Sequence, residues 1–252
     1  MIRLPAKTAF FAAPLILALA ACGSGGDEAT GSAPANGEPV ASVAAPAGQS
    51  WSETISQTAE GGYVMGNPDA PIKLVEYGSL TCSHCAEFSG NAMEPLRTEY
   101  VDTGRVSFEL RNFVRDPIDI TGAMLTRCGA DESYFALTDQ FWANQPQFFE
   151  AVQNAGEQAY QGAISAPDDQ RYVAIAEITG MFDFFAARGI SRDQAISCLQ
   201  NAPTATQLAE NTQAQGEQFD ITGTPTFLIN GRKIEALTWP EVQTALQNAG
   251  AR

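Results

Sequence analysis

Positive charge is scarce in this sequence. It has 14 Lys and Arg residues against 29 Asp and Glu residues, a formal net charge of −15. Proteins that bind nucleic acid need a basic face, so this balance argues against a nucleic-acid partner. Internal repeats and heptad runs are also absent, so neither a repeat array nor a coiled coil is predicted.

Histidine is nearly absent as well. His84 is the single His of the chain and lies between Cys82 and Cys85, and no second Cys-x-x-Cys pair exists. A structural zinc site needs four ligands. We therefore predict no metal at Cys82 and Cys85, and nothing in the sequence calls for a cofactor.

Apolar runs long enough to span a membrane are missing. The apolar run 9–21 follows Arg3 and Lys7 and ends in small residues. It is too short to cross a bilayer as a helix and has the pattern of a signal peptide, which we assign to residues 1–21. The chain is therefore expected to be exported to a compartment in which disulfides persist.

The end of this run resembles the lipobox of bacterial lipoproteins. Leu19-Ala-Ala precedes Cys22, and in lipoproteins such a cysteine is lipidated and becomes the first mature residue. Gly23 after it resembles outer-membrane sorting, so we expect a lipid anchor on the periplasmic side of a membrane of the cell envelope. The alternative is an ordinary signal peptide with a chance cysteine. Residues 22–50, rich in Gly, Ala, Ser and Pro, are predicted to form a flexible tether.

The five cysteines divide by context. Cys22 is assigned to lipid, Cys82 and Cys85 form a pair, and Cys128 and Cys198 are left over. In an oxidising compartment the last two are expected to bond to each other, which chain-entropy reasoning values at roughly 4 kcal/mol. Two separately buried thiols are the alternative.

The stretch around Cys82 has the clearest local pattern. The apolar residues at 72–77 predict a short buried strand, and 78–81 predict a turn. Apolar residues at helical spacing then predict a helix over about 82–100, with Ser79 or Thr81 as its N-cap.

Cys82 and Cys85 would then lie on the first turn of that helix, on one face. Unpaired backbone N–H groups and the helix dipole stabilise a thiolate there, and a protonated His84 would lower the pKa of Cys82 further. A thiolate attacks disulfides, and a second sulfur one turn away resolves the mixed disulfide. The pattern indicates a redox centre; a purely structural pair is the alternative.

The rest of the chain reads as strands on either side of a helical block. Further strands are predicted at 62–65 (at a sheet edge), 105–114, 223–230 and 232–234, with an Asn230-Gly231 turn between the last two. Helices are predicted at 120–128, 132–144, 147–153, 168–179, 181–187, 192–199, 204–218 and 239–248. The order of elements predicts an α/β sheet interrupted by a long helical insertion.

This order, together with four motifs, resembles the DsbA-like thiol–disulfide oxidoreductases. The motifs are Gly66-Asn-Pro-Asp-Ala-Pro71, Glu76, Cys82-Ser-His-Cys85 and Gly223-Thr-Pro-Thr-Phe227. The resemblance implies a thioredoxin fold split by an all-helical domain. It would give a thioredoxin-like domain of residues 51–116 and 219–252 and a helical insertion of residues 117–218.

The resemblance also assigns roles. Cys82 would be the exposed nucleophile, Cys85 the buried resolving thiol and His84 the thiolate stabiliser. Thr224-Pro225 would be the cis-proline dipeptide that faces the Cys pair and binds extended substrate. Glu76 would be the buried acid that exchanges protons with Cys85; a Glu at a solvated strand end is the alternative.

The direction of the chemistry is left open, because Ser83 stands where the best-known oxidases of this group have proline. Our leading hypothesis is a membrane-anchored, monomeric oxidase of exported proteins, reoxidised by a DsbB-type membrane partner. The alternatives are a reductase or isomerase kept reduced by a membrane electron donor, and a non-enzymatic holdase or peptide-binding module with a structural Cys-x-x-Cys.

Overall fold

The central strands of the protein are built from the apolar stretches that the sequence marks as buried. The computed structural model describes residues 37–252. The predicted signal peptide, Cys22 and tether residues 23–36 lie outside that range. Within it, no helix combines the length and apolar character that a membrane crossing requires.

Six strands form one mixed sheet in the order β1-β2-β4-β3-β5-β6. They are β1 (Ile55–Gln57), β2 (Tyr63–Gly66), β3 (Ile72–Gly78), β4 (Val106–Asn112), β5 (Thr226–Ile229) and β6 (Arg232–Ile234). Strands β3 and β4 run parallel, and the other pairs are antiparallel. In β3 every residue except Lys73 is buried, as expected of a central strand with both faces covered.

The strand predictions need two corrections. The strand predicted at a sheet edge, β2, is internal, because the unpredicted β1 pairs with its outer side. The predicted strand 223–230 is shorter: it begins at Thr226, after Pro225, which has no N–H to contribute to a ladder. The Asn230-Gly231 turn has positive φ at both residues, as a tight hairpin requires.

Ten α-helices lie in the described residues. They are α1 (Ser83–Pro95), α2 (Pro117–Thr126), α3 (Tyr134–Ala143), α4 (Gln145–Ala155), α5 (Glu157–Ile164), α6 (Asp168–Thr179), α7 (Met181–Ala186), α8 (Arg192–Leu199), α9 (Ala202–Gln218) and α10 (Trp239–Asn248). Helices α2 to α9 all fall between β4 and β5. The fold is therefore the predicted one, a thioredoxin fold with a helical insertion.

The helix that carries the Cys pair begins later than predicted. Its N-cap is Cys82 itself, in extended conformation, rather than Ser79 or Thr81. Those two hydroxyls instead bond to acidic side chains from the start of α2. After Pro95 the chain continues as a π-helical stretch, Leu96–Val101.

Residues 37–50 do not behave as the predicted tether. The N–H of Gly37 donates to the Asn248 carbonyl (2.7 Å), and that of Val43 donates to the Thr103 carbonyl (2.9 Å). The Arg105 guanidinium donates to the Val40 carbonyl at 2.8 Å. Composition does not reveal these contacts, because residues 37, 40 and 43 contribute only backbone groups to them.

One core extends through both parts of the fold. Phe88 and Leu110 of the thioredoxin part belong to the same buried cluster as Phe141, Phe148 and Phe185 of the insertion. Phe141 and Phe148 stack with ring centroids 4.4 Å apart. The two parts are consequently joined by packing as well as by the chain.

Candidate active site

Cys82 lies where β3 gives way to α1. The strand ends at Gly78, residues 79–82 form the connection, and Ser83 begins the helix. Cys82 is not the exposed residue that the resemblance implies: it is only 4% exposed, and its thiol contacts the Thr224 carbonyl at 3.2 Å. Cys82 and Cys85 are both free thiols. The two sulfurs and the proline loop that begins β5 therefore meet at one point.

The environment lowers the pKa of Cys82 to about 5. The largest cause is the hydrogen bond that the Cys85 thiol donates to the Cys82 sulfur, and burial acts in the opposite direction. The Thr224 side chain and the backbone N–H groups of Cys85 and His84 lower the pKa further. Cys82 is thus a thiolate at neutral pH, stabilised chiefly by its neighbours on the first turn.

Cys85 has the opposite character. It is fully buried, and burial raises the pKa of its thiol far above the ordinary range, with further raising by its hydrogen bond to Cys82 and by the charge of Glu76. Two sulfurs three residues apart therefore differ in acidity, although both residues are buried. One can act as thiolate while the other holds the proton.

Glu76 is inside the protein rather than at a solvated strand end. Glu76 is 1% exposed, and its Oε1 atom has no hydrogen-bond partner among residues 37–252. Burial raises the pKa of this carboxyl well above its usual value, and the charges of Asp139 and Cys82 add to the effect. A buried acid whose pKa is raised is suited to exchange a proton with Cys85.

His84 differs from expectation in how it reaches Cys82. Its side chain is 77% exposed and lies 3.8 Å from the Glu87 carboxylate. The group of His84 that acts on the Cys82 sulfur is its backbone N–H. Stabilisation of the thiolate by the imidazole remains a prediction.

The Thr224–Pro225 peptide bond is cis. Beside it an open groove of ≈340 Å³ runs along β6, lined by Pro225, Thr226, Ile234 and Leu237 among others. Leu237 is 62% exposed. The proline loop thus combines a carbonyl facing Cys82 with a partly apolar surface beside it.

The other two cysteines of residues 37–252 are joined, as expected. Cys128 and Cys198 form a disulfide with an S–S distance of 2.02 Å, which links the C-terminal end of α2 to α8. Within residues 37–252, no three His, Cys, Asp or Glu side chains are arranged to hold a metal ion.

Sequence reasoning missed a second set of residues at the site. Residues 79–82 form hydrogen bonds with Asp116, which immediately precedes the helical insertion, and with Asp119, Trp142 and Gln145 of the insertion. Asp116 could have been found, since Asp before Pro117 is a strong N-cap signal. The other three contacts join residues more than 35 positions apart, which no local pattern reveals.

The fold and the paired thiols define a thioredoxin-fold protein with a redox dithiol. The family model described as Thioredoxin matches residues 58–248, and the chain belongs to this family, within its DsbA-like group. It is 34% identical to a crystal structure of a protein-disulfide isomerase from Novosphingobium aromaticivorans, with a TM-score of 0.71 over 75% of this chain and 97% of that chain.

Two further relatives are more distant. Wolbachia pipientis alpha-DsbA1 shares the fold, with a TM-score of 0.62 at 20% identity over 77% of this chain and 93% of that chain. A Rickettsia bellii protein, provisionally named a protein-disulfide oxidoreductase, is 25% identical over 190 residues, or 75% of this chain. The match spans 65% of that relative's length and 59% of its Rickettsia conorii counterpart.

Proposed function

We propose that this protein is a thiol–disulfide oxidoreductase that oxidises dithiols of exported proteins through a mixed disulfide at Cys82. The observation that carries the proposal is the contrast between the two neighbouring sulfurs. Burial and a donated hydrogen bond keep Cys85 protonated, while the pKa of Cys82 is lowered to about 5.

The reaction starts from the Cys82–Cys85 disulfide. A substrate thiolate attacks the Cys82 sulfur, the bond to Cys85 breaks, and Cys85 leaves with the electron pair and takes up a proton. A second substrate thiolate then attacks the substrate sulfur of the mixed disulfide, and Cys82 leaves as thiolate. The substrate loses two electrons to the Cys pair and gains a disulfide.

The low pKa of Cys82 supports the oxidising direction. A thiol of low pKa is a good leaving group, which favours the final release of substrate. A thiolate held by N–H groups also stabilises the reduced dithiol relative to the disulfide. Both effects favour passing the disulfide on rather than retaining it.

Proton supply and substrate binding are assigned to neighbouring residues. Glu76, which is buried and has a raised pKa, supplies the proton that Cys85 takes up as it leaves. The backbone at Thr224–Pro225 binds an extended substrate segment by adding it beside β5. The groove next to Pro225 then receives the substrate side chains.

The proposal extends to the cell envelope. A lipid on Cys22 would anchor the protein on the periplasmic side of a membrane, with the outer membrane favoured, and a DsbB-type membrane protein would reoxidise the monomer. The path of residues 37–43 supports this arrangement. They contact Thr103 and Arg105, which precede β4, whereas Cys82 follows the opposite end of the parallel strand β3. Cys22 is 15 residues before Gly37, a span of at most about 50 Å.

The anchor is tested by labelling cells that produce the protein with a radioactive fatty acid. We expect label in the wild-type chain and none in Cys22→Ser. Equal labelling of both chains, or no label in either, would contradict the anchor without touching the redox chemistry.

The redox proposal is tested with a peptide that contains two cysteines. The oxidised protein should convert it to its disulfide in single turnovers, and Cys85→Ala should accumulate a covalent adduct through Cys82. Failure to oxidise the peptide would contradict the proposal.

An isomerase is the second candidate, because the Novosphingobium structure is that of a protein-disulfide isomerase. The reduced protein would then reshuffle wrongly paired disulfides of a test substrate faster than the oxidised protein forms new ones. An unreactive Cys82 would instead favour the holdase or peptide-binding reading.

A further inference from the structure

The connection that leads to Cys82 and α1 forms hydrogen bonds with side chains of the helical insertion. We call residues 79–82 the active-site loop. The loop lies between β3 and α1, and Ser79 and Leu80 are fully buried. Its polar groups bond to side chains at the start of α2, on α3 and on α4.

Gln145 contacts the loop at two carbonyls. Its side-chain Nε2 donates to the Leu80 carbonyl (2.7 Å) and to the Cys82 carbonyl (3.1 Å). The Cys82 carbonyl also accepts the N–H of Ala86 at 3.1 Å, as the helix begins. Gln145 is 5% exposed, so water cannot readily replace its amide. One buried side chain therefore fixes the backbone of the residue that carries the nucleophile.

Asp119 contacts the other end of the loop. Its carboxylate accepts hydrogen bonds from the Ser79 hydroxyl (2.6 Å), the Leu80 N–H (2.8 Å) and the Arg115 N–H (3.0 Å). The residue is fully buried. A buried carboxylate with three donors locates all of them, and losing it leaves those donors unpaired.

Asp119 lies among other charged and polar groups. Asp116 accepts the N–H of Asp119 at 2.9 Å and the Thr81 hydroxyl at 2.6 Å. The Arg115 guanidinium donates to the Ser79 hydroxyl at 3.0 Å. Burial raises the pKa of Asp119 to about 7, Asp116 adds to that, and the hydrogen bonds from Ser79, Leu80 and Arg115 oppose it.

The helix itself supplies little to locate Cys82. Its N-cap residue makes no side-chain capping hydrogen bond, and its first turn has no acidic residue. The contact of the Cys82 sulfur with the N–H groups of His84 and Cys85 therefore depends on the Cys82 backbone. The active-site loop fixes the position of that backbone, and hydrogen bonds join the loop to the helical insertion.

We propose that Asp119 and Gln145 are positioning residues, which hold the active-site loop so that the Cys82 sulfur stays on the N–H groups at the start of α1. The helical insertion thereby sets the reactivity of the nucleophile. The proposal deepens the proposed function and rests on it for its biological meaning. Its test does not, because the reactivity of Cys82 can be measured without any disulfide exchange.

The first test is the rate of Cys82 alkylation by iodoacetamide between pH 4 and pH 9, in the reduced full chain. Gln145→Met keeps the size of the side chain and removes both donors. We expect its alkylation rate at pH 4, below the pKa of Cys82, to fall about tenfold, since a lost buried hydrogen bond of about 1–1.5 kcal/mol would raise that pKa by about one unit. Thr179→Val is the matched control: it removes a buried hydroxyl of α6 that bonds only within that helix, and its profile should equal that of the wild type.

The second test uses Asp119→Asn and the shape of the profile. We expect the wild-type chain to show a second inflection near pH 7, from Asp119, which the variant loses. Ser79→Ala removes one donor to Asp119 from the loop side and should shift this inflection, which keeps the test readable if Asp119→Asn does not fold. Two results together would overturn the proposal. The first is that folded Gln145→Met shows the same alkylation profile as the wild type. The second is that the inflection near pH 7 is unchanged in Asp119→Asn or in Ser79→Ala. Absence of exchange with a test disulfide would overturn the proposed function alone.

Discussion

The two cysteine pairs of the described residues have the same side chains but different surroundings. Cys128 and Cys198 are 70 residues apart, are partly exposed and are bonded to each other. Cys82 and Cys85 are three residues apart, are buried and are free thiols. Only the second pair lies at a helix N-terminus, in contact with a proline loop and near enough to the buried Glu76 for its charge to raise the pKa of Cys85.

The comparison teaches that the surroundings, rather than the sulfur itself, divide structural from reactive cysteines. A disulfide that closes a long loop mainly restricts the unfolded chain. A pair whose pKa values are driven apart can exchange thiolate and proton between its members. The predictions below test this division.

Removing the reactive sulfur has the largest expected effect. Cys82→Ala should abolish oxidation of a dithiol peptide, because Cys85 is too buried and too weakly acidic to replace it. Thiol trapping followed by mass spectrometry would report the result. An adduct formed at Cys85 in this variant would contradict the assignment of the nucleophile.

Removing the Cys128–Cys198 disulfide should affect the stability of the protein and not the reactivity of Cys82. Cys128→Ala combined with Cys198→Ala should lower the free energy of unfolding by about 4 kcal/mol, given the length of the closed loop. Denaturant titration of the oxidised proteins measures this loss. The alkylation profile of Cys82 should stay unchanged, and a shifted profile would show that the two pairs are coupled.

Replacing the buried acid should slow proton transfer to Cys85. Glu76→Gln keeps the shape of the side chain without a titrating group, and we expect the first exchange step to slow by about a hundredfold. Rapid-mixing experiments with a peptide thiol would follow that step. Glu87→Gln, at an exposed Glu on α1, is the control, and equal rates in the two variants would rule out the proton role.

Acid should remove the stabilisation of the reduced protein. Because the folded pKa of Cys82 is lowered to about 5, its contribution is complete above the ordinary thiol pKa of about 8.5 and is lost as pH falls through about 5. The free energies of unfolding of the reduced wild type and of Cys82→Ser should therefore converge as the pH falls towards 4. A constant difference between them across pH 4–8 would contradict the lowered pKa.

The smallest effect is expected from the imidazole. His84→Gln keeps the backbone N–H that reaches Cys82 and removes only an exposed side chain. The pKa of Cys82 should change by less than about one unit, since exposed charge interactions are worth about 0.2–1 kcal/mol. A larger rise would restore the imidazole as the thiolate stabiliser.

Much of this architecture could be predicted from local patterns. Helices α6, α8 and α10 have the predicted bounds, because Gly and Pro punctuate the chain there and their apolar residues repeat at helical spacing. The Cys pair and the late proline were found because a short motif carries their chemistry.

The misses share a physical cause, which is dependence on distant partners. Strand β1 has no buried residue, and α5 has only one, so neither carries a periodic signal. Residues 37–43 form backbone hydrogen bonds to residues 103, 248 and 250, which are distant in sequence. Asp119 and Gln145 become part of the site only when the insertion packs on the active-site loop.

The redox equilibrium of the Cys82–Cys85 pair against glutathione tests the central claim most directly. The protein should be measured without residues 1–22, with Cys128 and Cys198 left bonded. We predict a potential well above the value of about −270 mV that is typical of thioredoxin, because the Cys82 thiolate is stabilised in the reduced state. A potential at or below that value would contradict the oxidising role and make the protein a reductase.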